Sequence, residues 1–214
     1  MNRFVVFDLD DTLVDSTAAV DRWFAELVEE RGLGDGALEF LRAEAASPAP
    51  PHESFGKIVA EFGLPETWEE LRGIFVHRVP RLARPYEGAI AGLEALRRSG
   101  WRIALLTNGT EVDQLPKLDG LLDLFDAVCY ADDEEERKPH LAAFTLVADR
   151  AEAVLGGAWM VGDSLKHDIA GGAAAGMRTI WVCNGAPTPA DGPRPDLVVA
   201  TVADAFPLLH SGDD

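Results

Sequence analysis

The chain has 214 residues, 47% of them apolar, with 37 acidic against 19 basic side chains and a net charge of -18. That length holds one large domain or a core with a small insert, and the acidity argues against nucleic acid or an anionic membrane surface as a partner. The two cysteines, Cys129 and Cys183, sit in apolar runs and read as buried thiols, which suits a reducing compartment. The chain enters a strand at once, without a signal-peptide pattern, and no apolar run approaches the roughly 18 residues of a membrane span. A soluble, cytoplasmic protein is expected; the sequence leaves its oligomeric state open.

In chain order, Phe4-Val5-Val6-Phe7 reads as a strand buried on both faces, ending in Asp8-Leu9-Asp10-Asp11-Thr12-Leu13. Val20, Phe24, Leu27 and Val28 fall at helical spacing, with Arg31-Gly32 as the stop. Leu38 and Leu41 mark a second helix, and Ser47-Pro48-Ala49-Pro50-Pro51 is a turn. Phe55, Ile58, Val59 and Phe62 give a third helix ended by Gly63, and Trp68, Leu71, Phe75 and Val79 a fourth, its exit bracketed by Pro80 and Pro85. Residues 16–84 therefore read as a helical insert, and residues 1–15 with 85–214 as the core. From Tyr86 helices and strands alternate: helix Gly88–Ser99, strand Arg102–Thr107, short helix Val112–Leu118, strand Phe125–Tyr130, then the acidic loop Asp132–Glu136. A helix carrying Leu141, Phe144 and Ala148 leads to strand Ala158–Val161, helix Leu165–Ala175, strand Arg178–Cys183, short strand Leu197–Val199 and helix Val202–Leu209. Fraying is expected over Ser211–Asp214. Such alternation predicts an α/β fold, a Rossmann-like parallel sheet flanked by helices.

Polar groups recur where the strands end: Asp8 and Asp10, then Thr107 and Asn108, then Lys138 in a loop, then Asp163 and Asp168. Each alone has an ordinary explanation. Asp-x-Asp and Gly-Asp-Ser suit helix N-caps, Thr-Asn-Gly suits a turn, and a lysine before proline suits a solvated loop. Their joint occurrence, in order and on one edge of a parallel sheet, is what points to a site. Carboxylates with room for water suit Mg²⁺, which combines a few carboxylates with substrate phosphate oxygens. A carboxylate can also attack phosphorus, while a lysine with hydroxyl or amide donors would hold the phosphoryl oxygens. The five histidines show no zinc spacing.

These motifs resemble those of the haloacid dehalogenase-like hydrolases, most of which are phosphatases. Asp8-Leu9-Asp10-Asp11-Thr12-Leu13 is similar to the first family motif, Leu106-Thr107-Asn108-Gly109 to the second and Lys138-Pro139 to the third. Gly162-Asp163-Ser164-Leu165-Lys166-His167-Asp168 is similar to the fourth. The resemblance covers essentially the whole chain, and the insert matches the subclass with a small α-helical cap. It implies that Asp8 is nucleophile and metal ligand, and that Asp10 is general acid and base with its carbonyl on the metal. Asp163 would be a further ligand supported by Asp168, and Thr107, the Asn108–Gly109 backbone and Lys138 would bind the phosphoryl group. A Mg²⁺-dependent phosphatase of a small phosphorylated metabolite, acting through an aspartyl-phosphate, is the implied activity. A sugar phosphomutase, a 2-haloacid dehalogenase-type hydrolase and a non-catalytic phospho-ligand module are the alternatives. Substrate choice would lie in the cap, where Trp23, Arg42, His52 and Lys57 are candidates. The acidic loop before Lys138 departs from the family pattern and leaves the reach of that lysine open.

Overall fold

The computed structural model describes residues 2–211. Residues 212–214, within the stretch expected to fray, lie outside it. Six strands, β1 (Phe4–Phe7), β2 (Arg102–Asn108), β3 (Ala127–Ala131), β4 (Trp159–Gly162), β5 (Arg178–Val182) and β6 (Leu197–Val199), form one sheet. Every pairing is parallel and the order is β3-β2-β1-β4-β5-β6. This is the doubly wound order in which the chain reverses direction across the sheet between β1 and β4, the place where such folds bind ligands. The Rossmann-like α/β reading of the sequence thus holds.

The strands read as apolar runs because both faces are covered. Phe4, Val6, Ala104, Leu106, Cys129 and Met160 turn to one face, packed with Phe144 and Val147 of α7 (Leu141–Arg150). Residues of opposite parity turn to the other, where Phe7 meets Phe206 of the C-terminal helix α9 (Val202–Ser211) with ring centroids 5.7 Å apart. A fully buried side chain of this kind contributes about 1.5–3 kcal/mol, so β1, wholly buried, is a rigid platform for whatever follows it. The remaining core helices are α5 (Ala89–Arg98), α6 (Glu111–Gln114) and α8 (Ala170–Ala174).

Two compact units are present, Met1–Asp15 with Pro85–Asp214, and Ser16–Arg84. The second holds α1 (Ser16–Arg31), α2 (Ala37–Ala45), α3 (Pro51–Phe62) and α4 (Trp68–Leu82). Its centre is aromatic: Trp23 is buried and meets Phe75 edge-on at 5.1 Å. Thr67 starts α4 with a capping box, its hydroxyl accepting from Glu70 N while the Glu70 carboxylate accepts from Thr67 N. The other candidates of this unit have partners within it. Arg42 donates to both oxygens of Asp21 at 2.9 Å, Lys57 reaches Glu44 at 3.4 Å, and His52 lies against Trp68. Among the described residues no helix is long and apolar enough to cross a membrane.

Helix α4 runs through Pro80 and ends at Leu82, between the two prolines expected to bracket its exit; a proline in the last turn removes only one backbone bond. Two elements depart from the pattern-based expectation. The helix expected over Val112–Leu118 divides into α6 and a 3₁₀ turn, Leu115–Leu118, where Pro116 cannot donate to the preceding turn. The helix expected over Leu165–Ala175 begins as a π-helical turn, Leu165–Ile169, before continuing as α8.

Candidate active site

The carboxyl ends of β1 and β4 meet at the reversal point. Asp8 continues the ladder, its N–H donating to Val161 O at 2.9 Å, so Asp8 and Asp163 leave adjacent strands side by side. Beyond Asp8 the chain folds sharply: Leu9 O accepts from the N–H groups of Thr12, Leu13 and Val14. This turn brings the Thr12 hydroxyl back to Asp8 Oδ2 at 3.3 Å.

At the end of β4 the π-helical turn has a geometric consequence. Ser164 O accepts from the N–H of both Asp168 and Ile169, which widens the turn and returns the Asp168 side chain to the strand end. There Asp168 Oδ2 accepts from Ser164 N at 2.9 Å. Gly162 makes the return possible, since a Cβ at that position would stand 2.3 Å from the Asp168 carboxyl carbon. Gly162→Ala is therefore expected to lower stability by about 1–3 kcal/mol. A melting curve checks this; a variant matching the unaltered protein would contradict the packing argument.

Lys138 lies at the centre of the site. Its ammonium is 2.5 Å from Asp8 Oδ1 and 2.7 Å from Asp168 Oδ1, and the residue is only 3% exposed, which makes it a bridge rather than a solvated loop lysine. The acidic loop before it does not divert it, because Asn108 grips its backbone on both sides. Asn108 Oδ1 accepts from Lys138 N at 2.9 Å, and Asn108 Nδ2 donates to Lys138 O at 3.0 Å.

A cavity of about 290 Å³ opens over these groups. Asp8, Asp10, Thr107, Asn108, Lys138, Asp163 and Asp168 line it, together with Asp11, Ser164 and His167. Gly109 is the expected site residue that does not. Its N–H donates to Ala131 O at 3.0 Å, and its missing side chain leaves room for the Gln114 amide, 2.8 Å from where a Cβ would stand.

The electrostatics follow from burial. Asp8 is pushed well above the usual carboxylate range by burial, which Lys138 opposes and Asp168 and Asp163 reinforce. Asp163 is pushed up to about 7 by burial, with Asp168 and Asp11 adding to the shift and Lys138 opposing it. Burial would lower Lys138, but Asp168 and Asp8 outweigh it, so its ammonium is held protonated. Asp8, Asp163 and Asp168 each offer a carboxylate oxygen within 4.8 Å of the others. Three crowded carboxylates facing one lysine are short of positive charge, and the donor set is the hard, oxygen-only kind that fits Mg²⁺. Asp168 has both oxygens engaged, by Lys138 and by Ser164 N, which fits a supporting place better than a direct one.

Asp10 stands apart from that trio. Its Oδ1 accepts from Lys117 Nζ at 2.6 Å and its Oδ2 from Gln114 Nε2 at 3.0 Å. Neither partner was singled out in the sequence. The signal available was a Gln-x-x-Lys spacing six residues beyond Asn108, interrupted by Pro116. Gln114 Nε2 also donates to Asn108 O at 3.0 Å, while its Oε1 is buried without a partner, a cost of about 1–3 kcal/mol.

Residues 5–182 match the family described as haloacid dehalogenase-like hydrolase. The chain belongs to that family. It is 31% identical over 196 residues to a glyceraldehyde 3-phosphate phosphatase of Pyrococcus abyssi, covering 85% of this chain and 81% of the relative. It is 36% identical over 197 residues to a phosphoglycolate phosphatase of Cereibacter sphaeroides, covering 81% and 82%. Among solved structures, the HAD-hydrolase YfnB of Bacillus subtilis, bound to magnesium, superposes with a TM-score of 0.80 at 22% identity, covering 97% of this chain and 98% of that one. The last comparison speaks to the fold alone. This haloacid dehalogenase-like hydrolase thus has its family motifs gathered at one sheet edge.

Proposed function

We propose that this hydrolase is a Mg²⁺-dependent phosphatase of a small phosphorylated metabolite, acting through an aspartyl-phosphate on Asp8. The observation that carries the reading is the Asp8 carboxylate, fixed at the end of a fully buried strand and bridged by Lys138 to Asp168. Two relatives at 31% and 36% identity named as phosphatases of three- and two-carbon phosphoesters support the substrate class.

Asp8 and Asp163, with the main-chain carbonyl of Asp10, would hold the ion, and Asp168 would support them. When bound, Mg²⁺ would neutralise charge on the phosphoryl oxygens and on Asp8. The chain's own groups do the rest. An Asp8 oxygen attacks phosphorus as the phosphorus–ester oxygen bond breaks, and Asp10 gives its proton to the departing alkoxide. Asp10 then takes a proton from water, whose oxygen bonds to phosphorus as the bond to Asp8 breaks, restoring both carboxyl groups. Lys138 and the Thr107 hydroxyl hold the phosphoryl oxygens and stabilise the charge spread over them in each step. Asn108 acts by fixing the backbone that carries Lys138. The helical unit Ser16–Arg84 is the cap in this reading and sets which ester is accepted.

A panel of phosphorylated metabolites with Mg²⁺ tests the proposal. Release of inorganic phosphate that stops in excess chelator is expected, and chelator-resistant turnover would contradict it. Exchange of residues 18–83 for another helical insert should change the preferred ester and keep the Mg²⁺ requirement. The charge state of the site adds a pH signature. Asp163 must be ionised to bind the ion, and with its value raised to about 7 the ion must displace a proton below that pH. Mg²⁺ affinity should therefore fall as pH is lowered from about 8 to about 6, by up to about tenfold per unit per displaced proton. Calorimetric titrations at both ends of that range check the sign; an affinity that is flat or rises on acidification would contradict it.

A further inference from the structure

We infer that Gln114 and Lys117 are positioning residues for the water-activating step, acting through Asp10. The inference rests on the phosphatase reading above and extends it to two side chains outside the motifs read from the sequence.

Neither residue is among the described residues lining the cavity, so neither is set to touch a phosphate ester directly. Both nevertheless aim their donors at Asp10. Lys117 Nζ lies 2.6 Å from Oδ1, and Gln114 Nε2 lies 3.0 Å from Oδ2. Two donors on two different oxygens fix the plane of a carboxylate as well as its position, which one donor cannot do. The lysine side chain is 12% exposed and that of Asp10 33%, so this ion pair is partly shielded from solvent, unlike a fully exposed surface pair.

The path of the chain serves the same end. Thr110 caps α6, its hydroxyl accepting from Asp113 N, and Pro116 then breaks the helix into a tighter turn. Gln114 and Lys117 lie on either side of Pro116, three residues apart, and stack on one side of that turn. Gln114 orientation is settled by its contacts. Its Nε2 serves two acceptors, Asp10 Oδ2 and Asn108 O, while Oε1 is buried without a partner. A buried acceptor left unsatisfied beside a doubly used donor indicates a side chain retained for its donor end. Through Asn108, which holds the Lys138 backbone, the amide ties Asp10 to the lysine that bridges Asp8 and Asp168. One hydrogen-bonded unit then spans the proton-transfer group and the nucleophile.

With an ester whose leaving group departs without a proton, attack by Asp8 does not depend on Asp10, whereas hydrolysis of the aspartyl-phosphate does. The test is quenched-flow kinetics with p-nitrophenyl phosphate and saturating Mg²⁺ on the intact protein and on Lys117→Met, Gln114→Met and Lys117→Arg. Lys117→Met is expected to give a burst of p-nitrophenolate of about one per active site. Steady-state kcat should then be at least about tenfold lower, within the range general acid–base catalysis supplies. KM should fall in parallel, leaving kcat/KM within about twofold, because only the second step is slowed. Gln114→Met should show the same pattern more weakly, and Lys117→Arg should restore turnover.

A purely structural role would instead reduce the burst amplitude together with kcat and lower the melting temperature, and that outcome overturns the inference. So does a Lys117→Met protein whose steady-state kcat matches the unaltered one. An Asp10→Asn protein that forms no covalent phosphate adduct with the same ester overturns the phosphatase mechanism and this inference with it. Adduct formation in Asp10→Asn, beside an unimpaired Lys117→Met, overturns this inference alone.

Discussion

Asp8→Asn is expected to lower kcat by more than about 10⁴-fold and to leave no covalent phosphate on the protein, the scale seen when a nucleophile is removed. The amide matches the carboxylate in shape, so the fold should persist, but it is a poor nucleophile and carries no charge for Lys138 or for a bound cation. Asp8 is almost fully buried at the end of β1, with Lys138 2.5 Å away. Asp163 and Asp168 leave β4 instead, and Asp10 is drawn to Lys117 and Gln114. Steady-state assay of phosphate release and a melting curve check the expectation. A well-folded Asp8→Asn protein that still turns over rapidly would remove the covalent mechanism.

Asp10→Asn is expected to behave differently, and the contrast matters more than either loss. The amide can neither give a proton to a departing alkoxide nor take one from water. Turnover of an alkyl phosphate should therefore fall by about 10²–10⁴-fold, the range general acid–base catalysis supplies. With an aryl phosphate the first step should survive, giving one rapid release of phenolate per active site followed by a stall. Pre-steady-state absorbance checks this. Equal impairment with both kinds of ester would take Asp10 out of the proton-transfer role while leaving Asp8 as the nucleophile.

Much of this site was legible before the fold was known because its parts are strand ends. β1 and β4 are short, wholly buried runs that stop where carboxylates begin, and a parallel sheet brings such ends to one edge. Helix ends and local turns were less legible. A five-residue π turn and an α turn share nearly the same apolar spacing, so the widened turn that returns Asp168 to Gly162 leaves no mark in hydrophobic periodicity. The contacts of Asp10 with Gln114 and Lys117 join residues more than a hundred positions apart, which periodicity cannot report. Lys138 was identified by type and order alone. What brings it to Asp8 is the grip of Asn108 on its backbone, and in the sequence Asn108 read only as a turn residue or a phosphate-binding one.

The central claim is that phosphorus passes through Asp8. Its most direct test is mass spectrometry of the Asp10→Asn protein, mixed with Mg²⁺ and an aryl phosphate, quenched in acid and digested. The account predicts one added phosphoryl group on the peptide that carries Asp8, absent from the protein in which Asp8 is also replaced by Asn. Phosphate release with that peptide unmodified, or a phosphoryl group found on another residue, would contradict it.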